Sequence, residues 1–120
     1  MTDDFSEAKR AFDEDGYAVI KEFLNAEETA DVQRNVVRYI HEIVPHLARE
    51  DVFYEDKTNL ETLKQMPRME QHDPYFRRLL FGSKFERLSE VLLDGSVVPR
   101  NVQYLRKPAR VGLATPPHQD

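Results

Sequence analysis

The 120-residue sequence predicts an α+β fold, with its helices first and its strands last. Three observations point there. Apolar residues recur at helical spacing in the first three quarters of the chain. Capping and stop residues stand where helix ends need them. From Val97 onward the pattern turns to extended chain, punctuated by prolines at 99, 108, 116 and 117. Two or three strands rarely make a stable sheet alone, so either these strands pack directly on the helices or more sheet follows. The order of elements favours the second.

Each element has its own local cause. Ser6 and Gly16 bracket a short helix, and "YAVI" at 17–20 is β-rich and reads as a strand. Asn25 followed by Glu28 makes an N-terminal cap for a long amphipathic helix. Val32, Val36, Val37, Ile40, Val44 and Leu47 form its apolar stripe. Pro45 lacks an amide donor, so a kink or an end is expected near Val44. Residues 49–72 are polar without a clear period and read as a loop with one helical turn. Asp73-Pro74 opens the next helix, with Phe76, Leu79 and Leu80 inward and Gly82 as its stop. Ser83 and Glu86 form a capping box for a further helix carrying Phe85, Leu88, Val91 and Leu92, ended by Asp94-Gly95. Helices are therefore expected over 1–95 and the first strands over 96–120, within one domain.

Composition narrows the function. The formal net charge of −5 disfavours nucleic acid or an anionic membrane as a general partner. No cysteine is present, which excludes disulfides and thiolate metal sites. The acidic start "MTDDFSEAKR" has no apolar secretory core, and no apolar run reaches the length of a membrane span. A soluble, cytoplasmic protein is the expectation. The charge is unevenly spread: residues 95–119 carry Arg100, Arg106, Lys107 and Arg110 and no acid. That segment suits a small anion, or equally a solvated surface strand.

The cationic segment leads into "PPHQD". On an extended chain His118 and Asp120 point to one face, presenting an imidazole and a carboxylate together. Two histidines and one carboxylate form the facial triad of non-haem Fe(II), which leaves positions open for substrate and oxygen. The pair alone is a weak signal, because a His-x-Asp arises by chance in roughly one such chain in three. Upstream, Asn101, Gln103, Leu105 and Lys107 alternate onto one face. Gln103 must satisfy its amide there, and a bound polar ligand or a neighbouring strand would serve equally. His41 and His46 flank Pro45 and His72 precedes a helix cap; all three are expected to be solvated rather than metal ligands.

Taken together, "FDEDGYAVIKEFLNAEE" near the start and "VQYLRKP" with "PPHQD" near the end resemble the phytanoyl-CoA dioxygenase family of Fe(II)/2-oxoglutarate oxygenases. The likeness runs through the chain, by pattern alone over residues 50–95. The resemblance implies a double-stranded β-helix (jelly-roll) core, largely missing from this chain, that carries Fe(II). It implies His118 and Asp120 as the first two iron ligands, and Gln103, Lys107 and Lys64 as contacts of the cosubstrate 2-oxoglutarate. It also implies a small organic substrate, hydroxylated with O2 while 2-oxoglutarate gives succinate and carbon dioxide. Asp120 speaks against the related halogenases, which place a small residue there to make room for chloride. The family's second histidine ligand and the arginine that clamps 2-oxoglutarate lie downstream of the His-x-Asp. The 120 residues are therefore expected to be the N-terminal portion of an oxygenase domain, inactive and either poorly soluble or self-associated when made alone. The strand around Gln103 is expected to pair with something beyond them. The rival reading is a non-catalytic helical module that binds a partner through its apolar stripes, with the His-x-Asp incidental.

Overall fold

Asn25 begins the longest helical stretch as expected. In the computed structural model, which describes residues 4–119, its Oδ1 accepts from the Glu28 amide at 2.8 Å. Glu28 Oε1 in turn accepts from the Asn25 amide at 3.0 Å, closing a reciprocal capping box. Helix α2 spans Ala26–Arg38, then widens into a π turn over Tyr39–Ile43 and tightens into a 3₁₀ turn over Val44–His46. Pro45 cannot donate to the preceding turn, and the departure from α geometry is already complete before it. Helix α1, Ser6–Asp15, stops at Gly16 in the left-handed conformation. Helix α3, Pro74–Leu80, begins behind Asp73 with proline in its first turn. Helix α4, Lys84–Leu93, ends at Asp94, which itself adopts positive φ in place of Gly95.

Three local expectations are corrected. Residues 17–20 form no strand: they have no ladder partner among the described residues, and Tyr17 and Val19 are largely exposed. Ser83 does occupy the N-cap of α4, yet its hydroxyl makes no cap bond. Glu86 reaches one residue further and accepts from the Gly82 amide instead.

The third correction is larger. The stretch 49–72, expected as a loop, contains strands β1 (Phe53–Tyr54) and β2 (Leu63–Met66) and three 3₁₀ turns. It also supplies Leu63, Met66 and Met69, which with Tyr39 and Phe76 are the buried hydrophobic core. The strands are short and interrupted, so no period survives for a sequence window to detect. Their structure comes from local side-chain bonds. Thr58 donates its amide to Asp56 Oδ1 at 2.9 Å, and the Thr62 hydroxyl donates to Asn59 O at 2.7 Å, closing the connection between β1 and β2.

Strand β3 (Tyr104–Leu105) completes an antiparallel sheet in the order β1-β2-β3. Gln65 lies opposite Leu105 and Met66 opposite Tyr104. The Arg106 amide continues the ladder to Lys64 O at 2.9 Å. The strand next to Gln103 therefore has a partner within the chain, β2, which lay inside the supposed loop; β3 is at the edge of the sheet, and its other side has no partner among the described residues. Just before β3, Val102 is held twice: its carbonyl accepts from the Met69 amide at 2.9 Å, and its amide donates to Glu70 Oε1 at 2.8 Å.

The core joins sheet to helices. Tyr39 packs edge-on against Phe76 with ring centroids 5.5 Å apart. Beside them Asp73 is 5 % exposed and takes both terminal nitrogens of Arg38, at 2.9 and 2.6 Å, tying α2 to the start of α3. The Tyr39 hydroxyl is buried with no hydrogen-bond partner among the described residues. Burial, and then the negative charges of Asp51, Asp73 and Glu70, push this phenol up to about 12. The architecture is α+β, as predicted. Among the described residues the sheet is three-stranded, smaller than a double-stranded β-helix. Among the described residues, no helix is long and apolar enough to cross a membrane.

Candidate functional site

Strand β2 and the segment through β3 run side by side, so side chains far apart in sequence line one cleft. Lys64 and Gln65 come from β2, Gln103 and Lys107 from either end of β3. The chain then turns back. The Gly112 amide donates to Pro108 O at 2.9 Å, and Arg110 takes positive φ within that turn. A Cβ at position 112 would lie 3.0 Å from Pro108 O and 3.2 Å from Lys107 Cβ, so a side chain there would force these neighbours to give by a few tenths of an ångström. The turn carries residues 113–118 back across Lys107. A cleft of about 720 Å³ results, lined by Lys64, Gln65, Gln103, Lys107 and His118 together with Glu55 and Arg106.

Four of the five residues predicted for the site thus share one cavity: Lys64, Gln103, Lys107 and His118. The fifth, Asp120, lies outside the described residues. His41 and His46 are exposed, as expected. His72 is not the solvated loop residue expected: it is half-buried, with Nε2 3.4 Å from Asp51 Oδ2, and does not line the cleft. Sequence reasoning missed Glu55, Gln65 and Gly112, and found Arg106 only as part of the cationic segment.

The electrostatics suit an anion. Among the described residues, three cations, Lys64, Arg106 and Lys107, line the cleft with one carboxylate, Glu55. Lys64 Nζ stands 3.5 Å from Glu55 Oε1, and Arg106 Nη1 donates to Glu61 O at 3.1 Å. Gln103 Oε1 accepts from Gln65 Nε2 at 3.1 Å. A small dicarboxylate would match both the charge and the hydrogen-bonding groups of this surface.

His118 Nδ1 lies 2.9 Å from Pro116 O. A carbonyl only accepts, so in the neutral ring the proton sits on Nδ1 and Nε2 carries the lone pair that a metal ligand needs. Among the described residues, no group of three or more histidine, cysteine, aspartate or glutamate side chains comes together.

The family model for phytanoyl-CoA dioxygenase matches residues 12–120. The chain belongs to the phytanoyl-CoA dioxygenase family. Comparison with curated proteins and with solved structures gives no match. The match includes helices α2, α3 and α4 and the whole cleft, so the cleft and the His118 segment lie inside the family's own domain. The phytanoyl-CoA dioxygenase family is of the Fe(II)/2-oxoglutarate oxygenase type, and the chain's class is accordingly that of an oxidoreductase. The donor types in the sequence are those such a site uses: an imidazole and, two residues on, a carboxylate.

Proposed function

We propose that this protein is an Fe(II)- and 2-oxoglutarate-dependent dioxygenase that hydroxylates a small organic substrate. Residues 1–120 form the N-terminal part of one oxygenase domain, whose full core is a double-stranded β-helix. His118 and Asp120 supply two of the iron ligands. Lys64, Gln103 and Lys107 bind 2-oxoglutarate. The observation that carries this reading is the convergence of Lys64, Gln103, Lys107 and His118, from three separate stretches of chain, on one cationic cleft.

Each side chain has a physical task there. Lys64 and Lys107 neutralise carboxylate charge in a partly shielded cleft, where an ion pair is worth more than on open surface. Gln103 offers an amide hydrogen bond at a fixed place between them. The contact of His118 Nδ1 with Pro116 O favours the tautomer in which Nε2 carries the lone pair a metal would use. Bound Fe(II) supplies the redox chemistry toward O2 that no side chain of this chain can supply.

The test is succinate formation from 2-oxoglutarate by the full-length protein with Fe(II). His118→Ala and Asp120→Ala are each expected to abolish it, and unchanged turnover in both would remove the oxygenase reading. Gln103→Leu keeps the volume and deletes the amide. It should raise the 2-oxoglutarate concentration for half-maximal rate about tenfold, as the loss of one good hydrogen bond predicts.

A further inference from the structure

We infer that Gln65 is a positioning residue for the cosubstrate: by donating to Gln103 Oε1 it turns the Gln103 amide so that its NH2 group faces the anion in the cleft. The inference rests on the proposed binding of 2-oxoglutarate and assigns a role to a residue that does not itself have to touch it.

Gln65 sits on β2, the central strand, held by β1 on one side and β3 on the other. Its backbone is therefore the best-fixed on this side of the sheet. Gln103 lies one residue before β3, and its side chain is exposed. Gln65 pairs with Leu105, so Gln103 is its diagonal neighbour on the same face, within reach of a long side chain. The Gln65 Nε2 to Gln103 Oε1 distance of 3.1 Å is the only hydrogen bond recorded for the Gln103 amide among the described residues.

The direction of that bond matters. An amide has an acceptor end and a donor end, and only the donor end attracts a carboxylate. Left alone beside Lys64, Arg106 and Lys107, the Gln103 amide would turn its oxygen toward the cations and meet an incoming carboxylate with the wrong group. Gln65 occupies the oxygen instead. The NH2 end is then set for the ligand before it binds, which removes an ordering cost from binding.

The experiment is calorimetric titration of the full-length protein with 2-oxoglutarate, in Fe(II)-containing anaerobic buffer, paired with steady-state kinetics. Gln65→Leu should weaken binding about fivefold, the worth of one modest hydrogen bond. It should raise KM for 2-oxoglutarate while leaving kcat unchanged. Gln65→Glu can only accept, so it forces the Gln103 amide to turn round and should weaken binding more than Gln65→Leu. In a Gln103→Leu background, Gln65→Leu should cost less than about twofold, because its partner is gone. If Gln65→Leu fails to fold, Gln65→Glu in the Gln103→Leu background carries the same comparison, its residual effect reduced to a part that salt screens.

Additive effects of the Gln65 and Gln103 substitutions would overturn the inference while leaving the proposed function standing. So would a Gln65→Glu protein that binds 2-oxoglutarate like wild type. A folded wild-type protein that binds no 2-oxoglutarate overturns the proposed function, and this inference with it.

Discussion

Replacing Tyr39 by phenylalanine should leave the protein at least as stable at neutral pH and make it more resistant to alkali. The ring is fully buried and rests edge-on against Phe76, a contact that phenylalanine keeps. Only the hydroxyl is removed, and it is buried without a hydrogen-bond partner among the described residues. Burying an unsatisfied hydroxyl costs about 1–3 kcal/mol, so its removal should be neutral or gain about 1 kcal/mol once the small void is counted. The alkaline behaviour follows from the phenol, which burial first and nearby carboxylates second raise to about 12, against an ordinary value of 10.0. A raised folded-state pKa means that the unfolded chain ionises first. Stability is then complete below pH 10 and is lost as pH climbs toward 12. With those two values, wild type should lose about 1.3 kcal/mol relative to Tyr39→Phe between pH 9 and pH 11. Urea unfolding of both proteins at pH 7, 9, 10 and 11 measures it. A loss above about 1 kcal/mol for the variant at pH 7 would mean that the hydroxyl does have a partner. Parallel alkaline curves would refute the pKa argument.

Asp73→Ala should destabilise the protein by about 3 kcal/mol in urea unfolding, the low end for breaking a buried pair because Arg38 is partly exposed; a change within 0.5 kcal/mol, roughly the size of an ordinary surface substitution, would contradict it. Gly112→Ala pushes a Cβ against Pro108 O and Lys107, so it should weaken 2-oxoglutarate binding while the helices, followed by far-ultraviolet circular dichroism, melt as before. Equal binding would show that the 108–112 turn does not set the cleft. Glu55→Gln removes the carboxylate beside Lys64 and should tighten 2-oxoglutarate binding about two- to fivefold at low salt, an advantage that fades as salt rises. Weaker binding would place Glu55 among the groups that hold the ligand.

How much of this was legible beforehand differs by element. The ends of α1, α2 and α3 could be read because their causes lie within a few residues: Gly16 beyond a helix, Asn25 with Glu28, Asp73 before Pro74. The site was legible in another way. His118, Asp120, Gln103, Lys107 and Lys64 came from a resemblance in motif order, and the structure brought four of them to one cleft without any of the spacing arguments predicting that cleft.

The sequence by itself determined the helices, the Asn25–Glu28 cap and the alternation around Gln103, since those depend on neighbours along the chain. Only the tertiary structure decided which strand meets that alternation. Leu63, Met66 and Met69 are buried because Tyr39 and Phe76 cover them, and no local pattern records a partner more than twenty residues away in the case of Tyr39. Once β2 is held there, Lys64 and Gln65 stand beside Gln103, and the Gly112 turn brings His118 over them. Burial and pairing are properties of the whole packed chain, which is why a polar, aperiodic stretch became the centre of the sheet.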